Sequence, residues 1–463
     1  MKIIHLCIWL TLFSSAALAN SSAVRNFPIQ QYSQNINTWI QQSHIDPDKD
    51  LMTSEASQQH LQQYYDKNYG HRSPWDPDFV QHMLLVDSVS AAQVNHIEFY
   101  LRHNKQCIGE HSAQVSCFLT KNHELPKDNW YKKLTDNLNV SSMLLHYRDN
   151  SRGILVNNAE LRRLPTTETL YEGYQAIDEK YPFDELAVGV EWIGTPVYIL
   201  NTSKDKQWLL VLTPNATAWV QADAVARVSN NYLKHYRQAI KHAPIALVQN
   251  NLRLESQQQQ YLATGFVGTV LPQAEKPNQV LLPHTDAQGM ATNAVVNLVA
   301  SSGVKMPLKA TPRNIAQMIT TELGRPYSGG NLDLYHDSSQ ALKVLFVPFG
   351  VWLPRESNNQ VEAAAHIDLS SKNEEQRLTY LRKHGVAFKT LINVNGHVML
   401  YLGIDPTNNQ VMTFQNPWAL KPGDSSYHAV IGKAVLLPLL TTYPNDPKLL
   451  SQANLARFKI RTL

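Results

Sequence analysis

The chain is poor in cysteine and carries no block of one charge. Its 463 residues include three cysteines, Cys7, Cys107 and Cys117, and none after Cys117, so thiol chemistry is excluded from the whole C-terminal part. There are 18 histidines but no His-Glu-x-x-His and no paired Cys-x-x-Cys, so neither zinc nor any other cofactor is expected. No Gly-x-Ser-x-Gly elbow occurs, which argues against an α/β-hydrolase. The 41 basic and 38 acidic residues leave a net charge of +3 without a basic stripe, which argues against nucleic acid as a partner. Beyond the first residues, no run is apolar enough to suggest a membrane span.

What is present begins with a leader-like segment. Lys2 precedes an apolar run over 3–13, and Ala17-Leu-Ala19 is a small-x-small cleavage pattern. A membrane anchor is the competing reading, but the run is short and no basic flank follows. The expectation is export to the periplasm or beyond, with cleavage after Ala19. Cys7 would leave with the leader. Cys107 and Cys117 then form an even pair in an oxidising compartment, which favours a disulfide over two buried thiols. The sequence carries no signal for an oligomeric state.

Residues 20–137 are polar, with a helix-like stretch at 91–103 and a helix-start signal at Trp75-Asp-Pro-Asp78. Over 138–228 short strands take over: Gly194-Thr-Pro-Val-Tyr-Ile-Leu200, Trp208-Leu-Leu-Val-Leu212 and 218–225. A second set follows within 240–305, at 245–248, 264–271, 278–282 and 294–299. Each set predicts a small barrel, with Trp192, Trp208 and Trp219 read as barrel core. From 306 to 463 the pattern is mixed. Thr311 caps a helix with Pro312 at its first position and Gly324 past its end, and Asp337 stands near the start of a second. Strands are expected at 387–392, 397–402, 410–414 and 434–437, an α+β arrangement.

Ser338 lies in Tyr327-Ser-Gly-Gly-Asn-Leu-Asp-Leu-Tyr-His-Asp-Ser-Ser-Gln340. That stretch, together with Leu161-Arg-Arg-Leu-Pro165, Phe349-Gly-Val-Trp-Leu-Pro-Arg355 and Gly396-His-Val-Met-Leu-Tyr-Leu-Gly403, resembles the secreted NlpC-family peptidases, bacterial relatives of papain. The likeness is to the multi-domain kind. It implies a signal peptide (1–19), an N-terminal stabilising domain (20–137), two SH3-like barrels (138–228 and 240–305) and a papain-like α+β peptidase domain (306–463). It also implies a substrate class: peptidoglycan stem peptides or muropeptides with a free N-terminal L-Ala, cut between D-γ-glutamate and the diamino acid.

Carried over by position, the resemblance makes Ser338 the nucleophile site, His397 the base and Gln415 the imidazole-orienting residue, with Asp337, Ser339 and Tyr327 on the substrate. The family has Cys at the first position and usually His at the third. Gln340 replaces a glycine, and Tyr327-Ser-Gly-Gly330 is a shortened form of a longer loop. A helix start and an imidazole can make a thiolate, but they leave a serine hydroxyl protonated. Three readings follow: a degenerate member that binds cell-wall peptides and cuts slowly or not at all, an active peptidase using Ser338, and a serine introduced for a native cysteine. Gln340 and Gln415 count against the last. A different class of reading makes the barrels the working part of a non-enzymatic wall- or protein-binding scaffold. Of the other histidines, His336 reads as a wall of the site, while His366, His384 and His428 show no ligand spacing.

Overall fold

The computed structural model describes residues 23–86, 89–107, 117–173 and 183–463. The expected leader lies outside the described residues.

The N-terminal segment divides its packing. Strand Ala23–Asn26 pairs in parallel with Tyr427–Val430, near the other end of the chain. Helix Ile36–Gln42 is capped by Asn35, whose side chain accepts from the Asn37 and Thr38 N–H groups. Its buried Ile36, Trp39 and Ile40 join the C-terminal core, and the Trp39 indole donates to the Leu402 carbonyl at 3.0 Å. Only from helix Ser54–Asn68 onward do the helices turn to the first barrel. Helix Pro77–Val86 starts where Trp75-Asp-Pro-Asp78 signalled it, with the Asp76 carboxylate accepting from Phe79 N–H at 2.9 Å. Trp75 is fully buried and donates to the Gly153 carbonyl at 2.7 Å. Helix Val89–Gln106 supplies Gln93, which accepts from the Trp219 indole at 2.7 Å. Cys107 and Cys117 are joined, and with Leu119 they form a small buried cluster.

The first barrel is a seven-stranded sheet in the order Val225–Arg227, Arg152–Leu155, Pro196–Thr202, Trp208–Leu212, Thr217–Gln221, Ala159–Arg162, Ala187–Glu191. Trp192, Trp208 and Trp219 are all buried, but outside the barrel core: Trp208 and Trp219 pack against the N-terminal helices, and Trp192 against Phe266 and Val344, because the strand alternation points Leu209, Val211 and Val220 inward instead. A helix not read from the sequence, Asn230–His242, links the barrels, and Ser229 caps it by accepting from Tyr232 N–H. The second barrel consists of small sheets built on Pro244–Leu247, Leu252–Glu255 and the long hairpin Gln279–Thr285/Ala291–Asn297. The expected continuous strand at 264–271 is broken. Tyr261–Gly265 and Val270–Pro272 flank a turn in which Gly268 has φ +91, where any side chain would be strained and would meet Val344.

The C-terminal unit is a six-stranded antiparallel sheet ordered Ile367–Asp368, Phe458–Thr462, Thr390–Val394, His397–Ile404, Val411–Gln415, Val435–Leu439. Helix Pro312–Glu322 begins with the Thr311 cap and Pro312, as its sequence requires, and Gly324 follows it at φ +79. Helix Ser338–Phe346 lies on the sheet, and all nine of its residues are buried. Leu342, Leu345 and Phe346 pack among Val398, Leu400 and Phe414. Burying each such side chain contributes roughly 2 kcal/mol.

The bonded pair sets a test. A chain lacking residues 1–19, unfolded without reductant, is expected to show no titratable thiol, because Cys107 and Cys117 are joined. Two reactive thiols per chain would reject the disulfide.

Candidate active site

Asp337 caps the helix that Ser338 opens. Its Oδ1 accepts from the Gln340 N–H and from the Ser339 hydroxyl, both at 2.9 Å. The Arg355 guanidinium closes a triangle: Nη2 donates to Asp337 Oδ2 at 2.7 Å and Nη1 to Ser339 Oγ at 2.8 Å. Gln360 ties the same turn down by donating to the Ser339 carbonyl at 2.7 Å and to that of Pro354 at 3.0 Å. Burial alone would raise the pKa of Asp337. The Arg355 charge and the hydrogen bonds to its oxygens outweigh burial and hold it below the usual carboxylate value. Arg355 is held above its own ordinary value, since its partner Asp337 outweighs its desolvation.

His397 begins the strand His397–Ile404, directly after Gly396, whose backbone is left-handed at φ +67 and closes the hairpin with Thr390–Val394. Gln415 ends the neighbouring strand, and its Oε1 lies 2.9 Å from His397 Nε2. The proton positions follow from a chain of hydrogen bonds. The Leu437 carbonyl can only accept, so the Thr413 hydroxyl donates to it at 2.7 Å. Thr413 Oγ1 then accepts from Gln415 Nε2 at 3.0 Å. Gln415 Oε1 is therefore an acceptor, as it also is for Gln452 Nε2 at 3.0 Å. His397 Nε2 must carry a proton, and its Nδ1 keeps the lone pair. Burial pulls the His397 pKa down to about 4, against smaller upward pulls from Gln415 and the Asp337 charge. The ring is a neutral base at physiological pH.

Ser338, His397 and Tyr327 line one cavity of about 510 Å³, together with Trp418, Lys421 and Gln452. Ser338 is only 6% exposed. Two aromatic rings of the wall are braced from outside it: Phe183 meets the Tyr327 ring at 5.6 Å and the Trp418 ring at 5.4 Å, both edge-on. Burial and the nearby Asp337 charge push the Tyr327 phenol up. Among the described residues, no group of three or more His, Cys, Asp or Glu side chains is placed to hold a metal.

Of the residues singled out from sequence, Ser338, His397 and Tyr327 share the cavity, and Gln415 stands behind the imidazole. Asp337 and Ser339 flank Ser338 and are bound to Arg355. His336 is not a cavity wall. It is fully buried, and its Nδ1 lies 2.8 Å from Glu322 Oε2. His428, which had no expected role, does line the cavity. Arg355, Gln360, Gln452 and Phe183 were missed. Arg355 ends a run used only as a landmark, and the other three carry no local signal.

An SH3-domain family model of the SH3b1 type matches residues 170–221, which fall in the first barrel. Among solved structures the chain is similar to an NlpC/P60 endopeptidase from Photobacterium damselae subsp. piscicida. The identity is 24% and the TM-score 0.78, over 96% of this chain and 99% of the other. The chain has the fold of an NlpC/P60 endopeptidase. It is multi-domain, with a mixed N-terminal region, SH3-like barrels and a papain-like C-terminal domain. An NlpC/P60-family protein from Bacillus cereus matches at 14% identity and TM-score 0.41, over 65% of this chain and 98% of that one. A peptidoglycan hydrolase from Mycobacterium tuberculosis matches at 20% identity and TM-score 0.18, over 32% and 62%. No curated protein matches the chain.

The buried pair predicts a large stability effect. Arg355→Ala leaves Asp337 buried without its partner and is expected to cost about 3–5 kcal/mol in chemical denaturation. Arg355→Lys is expected to recover only part of this, because an ammonium cannot serve Asp337 and Ser339 together in the planar fork. A loss under about 1 kcal/mol for the alanine variant would mean that solvent reaches the pair.

His397 predicts a pH effect. Its pKa falls from 6.5 to about 4 on folding, so between those values the unfolded chain binds more protons than the native one. This residue's contribution to stability is complete above about pH 6.5 and declines as the pH falls toward 4. An NMR titration of the imidazole is expected to give a midpoint near 4, and a midpoint near 6.5 would show a solvated ring.

Proposed function

We propose that the protein is an exported NlpC-family protein that binds peptidoglycan stem peptides in the Ser338–His397 cavity and hydrolyses them slowly or not at all. The observation that carries this reading is the placement of Ser338 at the start of a buried helix, on one cavity with a neutral His397 that Gln415 orients. The protein from Photobacterium is described as an endopeptidase. The matching bond class here is D-γ-glutamyl–diamino acid, in peptides with a free N-terminal L-Ala. Tyr327, Asp337 and Ser339 are the proposed substrate contacts, with Arg355 holding the latter two in place. Nucleophile, base and orienting residue are Ser338, His397 and Gln415.

The chemistry favours binding over turnover. A hydroxyl must lose its proton during attack, and the imidazolium formed then needs stabilisation. The Gln415 amide oxygen supplies a dipole where a carboxylate would supply a full charge.

Purified protein without residues 1–19, incubated with muropeptides and read by mass spectrometry, is expected to show binding with little or no cleavage. Ser338→Cys is expected to restore measurable cleavage, since the helix start can stabilise a thiolate. Adding Gln415→His is expected to raise it further, and the two effects should not simply add because both act in one unit. A folded double variant that neither binds nor cuts any muropeptide would sink the reading. Rapid cleavage by the unaltered protein would replace it with a working serine peptidase.

A further inference from the structure

A second cavity, of about 580 Å³, lies between the first barrel and the segment that leads into the Ser338 helix. Asp333 and Leu334 of that segment line it, whereas Tyr327 and Ser338, at the segment's two ends, line the first cavity. The segment is anchored to the barrel. Asp333 N–H donates to Glu160 Oε1 at 2.8 Å, and an added Cβ at Gly330 would collide with Ala187. Asp333 and Leu334 both hold left-handed backbone, at φ 54 and φ 60, a conformation that costs non-glycine residues energy and concentrates at working sites.

The wall chemistry is specific. Trp208 and Tyr171 contribute aromatic surface, Glu160 and Asp333 carboxylates, Gln221 an amide and Thr169 a hydroxyl. Thr169 Oγ1 is enclosed and finds no hydrogen-bond partner among the described residues. All three nitrogens of Arg162 are already engaged, with the Thr166 carbonyl, Asp184 and the Glu168 carbonyl, and the Asp184 carboxylate balances its charge. Apart from the two rings, the apolar lining is limited to Ala159, Ala224 and Leu334, so the wall is mainly aromatic and polar. An anion is opposed by both carboxylates. A small cation would leave most of the volume empty. A ligand of this size that offers many hydroxyl donors and a ring face to stack on aromatic surface is a saccharide.

We propose that this cavity is a binding site for a neutral oligosaccharide of about two sugar units. The site is independent of hydrolysis at Ser338, so it stands whether or not the peptide reading holds. It would let the first barrel grip a glycan while the neighbouring cavity engages a peptide.

The test is calorimetric titration of the protein with tetrasaccharides of N-acetylglucosamine and of glucose, alongside a lysine-containing tetrapeptide as the cationic competitor. Saturable binding of either sugar is expected. It should weaken at least about tenfold in both Glu160→Gln and Gln221→Ala, and stay unchanged in Ser338→Ala. Circular dichroism and the thermal midpoint establish that the variants fold. The proposal is overturned by any of three results: no saturable binding of either sugar into the millimolar range, binding that both wall variants leave intact, or binding of the peptide alone.

Discussion

The site depends on burying one nine-residue helix, Ser338–Phe346, so that only its first turn meets the cavity. The sheet covers one face through Val398, Leu400 and Phe414. The other face meets the barrels: Trp192 from the first, and Phe266 and Val267 from the second, pack around Val344. A helix enclosed in this way sends few of its polar groups to solvent, so most are paired within the protein. Asp337 therefore takes Arg355, and Gln360 takes the Ser339 carbonyl. Lys343 reaches Glu191 of the first barrel at 3.8 Å, and burial lowers its pKa while Glu191 opposes the shift. Ser338 and His397 are the points at which this enclosed packing opens onto the cavity.

The barrels are therefore structural parts of the site. The first supplies Phe183, which packs on the wall residue Tyr327, and Glu191 to the helix, and the second supplies Asn250, whose amide donates to Glu322 at 3.1 Å. Glu322 and His336 are both fully buried beside this seam. Burial would raise the Glu322 pKa, but its contacts with His336, Arg325 and Asn250 keep it low. A loosely docked domain would leave such groups in water, so the buried charges mark a fixed seam. The second cavity lies against the same joint, which is why a ligand there would touch barrel and peptidase domain together.

The elements most legible in the sequence were those with local physical causes. Thr311-Pro312 and Asp337 announced helix starts, and the apolar runs around 397–402 and 410–414 announced the sheet. Ser338, His397, Gln415, Asp337, Ser339 and Tyr327 were named from motif order, a resemblance spanning the chain. The break at Gly268 was not legible, because its cause is the Val344 side chain, far along the sequence. The docking of residues 23–52 on the C-terminal core was hidden for the same reason. Strand Ala23–Asn26 has no strong pattern of its own and is defined by its partner Tyr427–Val430. Arg355 and Gln452 are single polar residues whose roles exist only once distant segments meet.

The hydrogen-bond chain behind His397 also limits what the serine can do. It runs from the Leu437 carbonyl through Thr413 and Gln415 to the imidazole and fixes a neutral ring with Nδ1 free, the correct form for a base. Every link in that chain is uncharged, however, and burial holds the ring's pKa at about 4. Protonating His397 is thus costlier than protonating a solvated histidine, before the far weaker acidity of a hydroxyl is counted. A cysteine at the same place would form a thiolate whose negative charge itself stabilises the imidazolium, offsetting that cost. A serine reaches its anion only in the transition state, so it gains no such help in the ground state. A hydroxyl at position 338 therefore cannot form the ion pair that a thiolate would form with this imidazole.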